Sequence, residues 1–263
     1  MTIFPPARWA ALGRIFFGAA VVFFGLQHFL EGKFVTRAMP PWPGWVPGLG
    51  VWTYVVGALL ILAGGAMIFR GGGRRAATLV ASLFLVSALL LHLPALLAQI
   101  AGPHLWANAG KGFALGAGAL LVASTFPREA ASPTDRFFVV CARIALGGFM
   151  ILAGIQHLLY VEFVRHLVPA WVPGAVFWTY FSAATLILGG AAMAAGFRLR
   201  LVALLTALMI FLWVLMLHIP RALAAPQDAN EATAVFEALA FTGVALMLAA
   251  KAGAPASRAP AST

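Results

Sequence analysis

The sequence predicts an all-α, polytopic membrane protein with eight transmembrane helices arranged as two parallel four-helix repeats. Composition is the first reason. Of 263 residues, 63% are hydrophobic and only 9% charged, with a mean hydropathy of +0.98. A soluble domain carries about 25% charged residues. The apolar runs are long enough for helices of about 20 residues, and none alternates as a membrane barrel strand does. Internal repetition is the second reason. Arg14-Ile15, Gly25-Leu26-Gln27-His28, Trp45-Val46-Pro47-Gly48, Trp52-Thr53-Tyr54 and Leu91-His92-Leu93-Pro94 return as Arg143-Ile144, Gly154-Ile155-Gln156-His157, Trp171-Val172-Pro173-Gly174, Trp178-Thr179-Tyr180 and Leu217-His218-Ile219-Pro220. The shift is 129 positions at first and 126 after a Pro-rich loop that is three residues longer in the first copy. Self-similarity of this length marks a duplicated unit.

The elements follow in order. Span 1 (residues 12–30) starts among Arg8 and Arg14 and runs without a cleavage signal into Gln27-His28, so it reads as a retained span rather than a signal peptide. The loop 31–50 holds Pro40, Pro41, Trp42, Pro43, Trp45 and Pro47. Tryptophan favours the membrane–water interface and proline stops a helix, so this loop reads as an irregular cap or an interfacial anchor. Span 2 (50–69) ends before Arg70, Arg74 and Arg75. Span 3 (76–98) carries His92 and Pro94, and span 4 (106–125) carries Lys111. The polar, proline-broken segment 127–136 divides the chain into a first repeat (1–126) and a second (137–251). Spans 5 to 8 (139–160, 177–196, 201–223, 233–250) repeat the pattern, with the Pro- and Trp-containing loop 161–176 after span 5. The Ala/Pro/Ser-rich tail 252–263 reads as disordered.

Charge supports this topology. The net charge of +10 suggests nucleic acid at first sight, but Lys and Arg sit in short clusters between apolar runs. Twelve of the seventeen fall on one side: Arg8, Arg14, Arg70, Arg74, Arg75, Arg128, Arg136, Arg143, Arg198, Arg200, Lys251 and Arg258. That bias predicts cytoplasmic termini. A basic patch interleaved with aromatics is absent, so nucleic acid is excluded as a partner and the lipid membrane is expected. An even number of spans per repeat gives both repeats one orientation. Cys141 is the single cysteine. It excludes an intramolecular dithiol mechanism and reads as a small core residue.

The candidate site residues are those that put polarity in apolar segments, where it usually has a purpose. His28 and His157 lie 14 residues beyond Arg14 and Arg143, and His92 and His218 lie 17 and 18 beyond Arg75 and Arg200. At about 1.5 Å per residue all four sit roughly 21–27 Å from the arginine side, in one layer near the opposite face. Spans 1 and 3 of an up-down bundle are diagonal, so the paired histidines can oppose each other. Opposed imidazoles suit a metal or haem b iron, a polar ligand such as a quinone head group, or proton relay. They also suit plain interhelical hydrogen bonding. Gln27 and Gln156 point about 100° away from their histidine neighbours and read as interhelical hydrogen-bond partners. Pro94 and Pro220 free the carbonyls of Leu90 and Met216 and invite a kink. Lys111 aligns with Glu237, a reversal expected of an ion pair between the halves, with a proton-handling carboxylate or a snorkelling lysine as the other readings. Trp52, Tyr54, Trp178 and Tyr180 read as interfacial belt or lid residues.

Several stretches resemble the DoxX-like family of bacterial four-helix membrane proteins. They are Gly25-Leu26-Gln27-His28-Phe29, Val168-Pro169-Ala170-Trp171-Val172-Pro173, Leu62-Ala63-Gly64-Gly65 with Leu188-Gly189-Gly190, and Lys111 with Leu115-Gly116. The resemblance extends over both halves and implies a tandem duplicate. It also implies a redox-associated membrane subunit, since relatives include subunits linked to thiosulfate:quinone oxidoreduction and to oxidative-stress complexes. The glutamate that many relatives carry in span 2 is missing after Tyr54 and after Tyr180, so no role of that residue carries over. The expectation is a redox-associated membrane subunit, of an oxidoreductase with a redox partner, that binds quinone, haem or another metal at His28, His92, His157 and His218, with Lys111 and Glu237 as further ligand-binding residues. The alternatives are a small-molecule transporter or binding protein and a ligand-free structural partner. Midplane charge is scarce, which argues against an ion transporter. No phosphate-binding loop occurs, which argues against ATP.

Overall fold

The computed structural model describes residues 5–37, 39–40, 42–69, 72–127 and 132–253, and all regular structure among them is helical. The helices are α1 (Pro6–Glu31), α2 (Leu49–Phe69), α3 (Gly73–Ser87) continuing through a π-helical turn (Ala88–His92) into α4 (Leu93–Ala98), α5 (Pro103–Ser124), α6 (Pro133–Leu159), α7 (Val161–Arg165), α8 (Ala175–Ala195), α9 (Leu199–Trp213) continuing through a second π-helical turn (Val214–His218) into α10 (Ile219–Ala224), and α11 (Ala229–Ala252).

Local chemistry sets the ends. The Ser132 side chain accepts a hydrogen bond from Thr134 N–H at 3.2 Å, and Asp228 accepts one from Asn230 N–H at 2.9 Å. Both are N-caps that satisfy an otherwise orphaned donor. Gly196 ends α8 at φ 75°, with Gly196 N–H bonded to the Met193 carbonyl and Phe197 N–H to that of Ala192. This is a Schellman closure, and its left-handed position suits glycine. The turns at His92 and His218 are π-helical, with Leu93 N–H reaching back five residues to Ala88 and Ile219 N–H to Val214. The widened turn sits just before Pro94 and Pro220, so the proline positions mark a change of helical register, and such turns recur at functional sites.

Two sequence expectations need correction, the linker bounds and the irregular second loop, and the eight spans are matched only in part. Among the described residues seven helices are long and apolar enough to cross a membrane, where eight spans were expected. The exception is α5, which is 22 residues long but rich in glycine and alanine and carries His104, Asn108 and Lys111. Its surroundings are protein on most sides, so it does not need the hydropathy of a lipid-facing helix. The linker is shorter than 127–136, because the Ser132 cap starts α6 at Pro133. The loop 161–176 is not wholly irregular, since α7 forms one helical turn in it. The tail expectation for 252–263 lies outside the described residues apart from Ala252, which ends α11, and Gly253.

Each four-helix half also does not close on itself. α1 packs on α2, and α6 on α8, but the other large face of α1 meets α11, while that of α6 meets α5. α3 packs on α5, α9 on α11, and α5 and α11 touch each other. The fourth helix of each half is therefore exchanged, and α11 has nearly every residue from Thr233 to Ala250 buried. Close approach of glycines makes these pairings tight. A Cβ at Gly18 would lie 2.9 Å from the Gly64 carbonyl oxygen, and one at Gly147 would lie 2.6 Å from that of Gly190. A Cβ at Gly13 or Gly243 would lie 2.5 Å from the other's carbonyl oxygen. Small residues of this kind let membrane helices meet backbone to backbone.

The ends of the bundle differ in chemistry. Arg74 pairs with Asp135 at 2.7 Å and donates to the Ala123 carbonyl, and Lys251 donates to the Ser124 carbonyl. At the opposite end Gln27 donates to the Ala229 carbonyl at 3.0 Å and accepts from Thr233 at 3.1 Å. Gln156 donates to the Pro103 carbonyl at 2.7 Å. The two glutamines thus do the same job: each fastens a first helix to the start of the exchanged helix, as interhelical partners.

Candidate functional site

The histidine end holds two chemically distinct places. The first is ionic. Lys111 Nζ on α5 lies 3.0 and 3.2 Å from the Glu237 carboxylate oxygens on α11. Arg37, from the segment after α1, donates to Glu237 Oε2 at 2.9 Å and to the Asn230 carbonyl at 3.1 Å. The Lys111 and Glu237 side chains are 7% and 5% exposed, and Arg37 is 31% exposed. A carboxylate buried in an apolar bundle needs charge and hydrogen-bond partners to be tolerated. Here it has two cations, one of which reaches the surface. The sequence suggested the Lys111–Glu237 pair but not Arg37, whose loop position carried no signal of its destination.

The second place comprises the histidines. His28 is fully buried. Its Nδ1 lies 2.7 Å from the Phe24 carbonyl, its Nε2 has no hydrogen-bond partner among the described residues, and Phe34 stands edge-on against its ring at 5.7 Å. Phe34, Val35 and Met39 are buried, and Phe34 stacks on Trp42, which contacts Trp52. The longer first loop thus folds inward over His28. Phe24 and Phe84 meet edge to face one turn away. His92 is buried at the end of its π-helical turn, where a Cβ on Gly112 would meet its ring at 3.4 Å.

The second half is arranged differently. His157 Nδ1 is bonded to the Ala153 carbonyl at 2.7 Å, as in His28, but its ring lines a cavity of about 470 Å³. The cavity lies between α6, the segment 164–172, α8 and α9, and α8 touches α9 less extensively than α2 touches α3. Leu205, Leu208 and Phe181 at its rim are exposed on the outer surface of the bundle. Trp178, Trp213 and the hydroxyl-bearing Thr179 and Ser182 complete its character. Thr179 Oγ1 donates to the Ala175 carbonyl at 2.9 Å, and Trp178 Nε1 donates to that of Pro173 at 3.1 Å. His218 is half-buried within electrostatic reach of Arg221, Glu237, Arg37 and Glu231, and is not among the cavity's walls. Arg221 is itself paired with Glu231.

The structure therefore brings Lys111 and Glu237 together, sets His218 near them, closes protein over His28 and His92, and gives His157 an open wall. Trp213 and Ser182 were missed in the sequence. The signal that could have found them was their contrast with the positions 126 residues earlier, Ser87 and Val56, both of which are buried. No group of three or more His, Cys, Asp or Glu residues suited to a metal ion occurs among the described residues. A haem held by two histidines does not fit the walls present. His28 is sealed by aromatic packing, and the cavity beside His157 presents no second imidazole.

Comparison with known proteins places one match on this chain. Residues 138–219 match the DoxX family model, a span that begins in α6 and ends just past His218. No curated protein and no solved structure matches the chain.

Proposed function

We propose that the chain is a DoxX-like multi-pass membrane protein and that its second half binds an apolar, membrane-soluble molecule whose polar head meets His157. The observation that carries this reading is the His157 imidazole in the wall of a cavity of about 470 Å³ lined almost wholly by apolar side chains. A pocket of that size and character, with a few convergent polar groups, is the form small-molecule sites take. Its rim of exposed leucine and phenylalanine would admit a ligand sideways from lipid.

A quinone-type molecule is the ligand class that combines a compact polar head with a long apolar portion, and it would supply two-electron chemistry when bound. On this reading the chain is a redox-associated subunit that holds such a molecule for a partner protein. His157, Ser182 and Trp213 orient the head group. Lys111, Glu237 and Arg37 hold the halves together, and His28 and His92 serve packing. We read the halves as copies of one four-helix unit, of which the second has kept the open site. The arginine-bearing end is assigned to the cytoplasm of a bacterial inner membrane, with both termini there, on the positive-inside rule.

The test is to extract the purified protein with organic solvent and identify co-purified isoprenoid quinols and quinones together by mass spectrometry. Wild-type protein is expected to carry them in near-stoichiometric amounts. Ser182→Phe, which fills the cavity from α8, is expected to lose them. Equal amounts in both proteins would contradict the proposal.

A further inference from the structure

We propose that the cavity beside His157 selects molecules that present a hydroxyl hydrogen (phenols, alcohols and hydroquinones) over their oxidised or O-alkylated counterparts. This rests on the reading of the cavity as the ligand site.

The polarity of the wall decides the matter. A backbone carbonyl only accepts hydrogen bonds, so the 2.7 Å contact between His157 Nδ1 and the Ala153 carbonyl places the ring's proton on Nδ1. The other nitrogen, Nε2, then carries a lone pair. It makes no hydrogen bond among the described residues. The cavity walls contain no carboxylate that would balance an imidazolium. Toward the cavity, His157 is therefore an acceptor.

Two neighbouring groups, Thr179 and Trp178, have no hydrogen left to offer. Thr179 has committed its hydroxyl hydrogen to the Ala175 carbonyl, leaving oxygen lone pairs. The Trp178 indole has committed its N–H to the Pro173 carbonyl. Ser182 is uncommitted and can donate or accept, and the Trp213 indole N–H remains a donor on the α9 side. A ligand oxygen set against His157 must then bring its own hydrogen. It can complete its bonding by accepting from Ser182. A carbonyl or ether oxygen placed there would face a lone pair, and a buried acceptor left without a donor loses the hydrogen bond it had in water.

This chemistry is specific to the second half. His28 carries the same Nδ1 contact, to Phe24, but its ring is fully buried under Phe34. Ser182 is replaced by Val56 at the position 126 residues earlier. One half thus keeps the acceptor geometry without access, and the other keeps it with access.

The experiment uses two matched pairs, 4-nonylphenol against 4-nonylanisole and decylubiquinol against decylubiquinone, titrated anaerobically into the full-length protein in nanodiscs. The hydroxylated member of each pair is expected to bind about tenfold tighter or more. His157→Phe is expected to erase that preference while leaving some affinity for the alkyl chain. Ser182→Phe, with His157 intact, is expected to weaken both members of each pair. Equal affinity within both pairs for the wild type would overturn the inference and leave the binding site standing. A preference that survives His157→Phe would overturn it too. Failure of all four probes to bind would overturn the reading of the cavity as a site.

Discussion

Lys111 and Glu237 stand 126 residues apart in the chain and 3.0 Å apart in the fold. They occupy equivalent positions on α5 and α11, the two exchanged helices, and so join the halves at their shared seam. Arg37 closes the same carboxylate from the surface side. Glu237→Gln leaves Lys111 buried without its counter-charge. Breaking a buried pair from one side costs about 3–5 kcal/mol, so this variant is expected to unfold at markedly lower temperature or denaturant in detergent. Replacing both partners, as Lys111→Met with Glu237→Met, should recover most of that loss, because Arg37 can turn to solvent. A double variant as unstable as Glu237→Gln would show that the ionic group itself is required.

Helix approach in the first half depends on Gly64, where a Cβ would lie 2.7 Å from the Gly18 carbonyl oxygen, whereas a Cβ on Gly65 meets nothing within 4 Å. Gly64→Leu is expected to destabilise by about 1–3 kcal/mol through overpacking of α1 against α2. Gly65→Leu is expected to change stability little. The pair of unfolding curves, measured side by side, separates helix contact from a general effect of added bulk.

The glutamines offer a test of the exchange itself. Gln27 fastens α1 to the start of α11, and Gln156 fastens α6 to the start of α5. Gln27→Leu and Gln156→Leu are each expected to cost about 1 kcal/mol, the scale of an interhelical hydrogen bond in a membrane protein. They share no partner, so the double variant should show the sum. A strong departure from additivity would mean that the two contacts belong to one coupled network.

His28 and His157 share a local geometry and differ in surroundings. His28→Ala removes a fully buried ring and is expected to cost about 2–5 kcal/mol, with ligand retention in the second half unchanged. His157→Ala is expected to leave stability nearly intact and abolish the hydroxyl preference. Thermal unfolding and ligand titration of the same two preparations check both halves of this statement.

The helices were legible in the sequence because long apolar runs ended at arginines, glycines and prolines. The largest boundary differences came at the starts of α1 and α6, and at α6 Ser132-Pro133 reads as a broken linker but works as a helix cap. The Lys111–Glu237 contact was legible because a lysine and a glutamate at equivalent positions of two apolar helices each need a counter-charge, and each can supply the other's. Arg37 was not, since a loop residue carries no periodicity to say which helix it will meet. The exchange of α5 and α11 was hidden as well, because a stripe of Gly and Ala states that a neighbour comes close without naming it. The cavity arose where Trp213 stands in place of Ser87 and a shorter loop covers His157 less fully than Phe34 covers His28. Position alone made the two histidines look alike.

The most direct test of the central claim is to locate a bound ligand. Full-length protein in nanodiscs would be photolabelled with a diazirine-bearing alkylphenol and the labelled peptides sequenced. Labelling concentrated on residues 164–182 and 205–217, and competed away by unlabelled alkylphenol, is the result the account predicts. Labelling around His28 and Phe34, or spread evenly over the lipid-facing helices without competition, would contradict it.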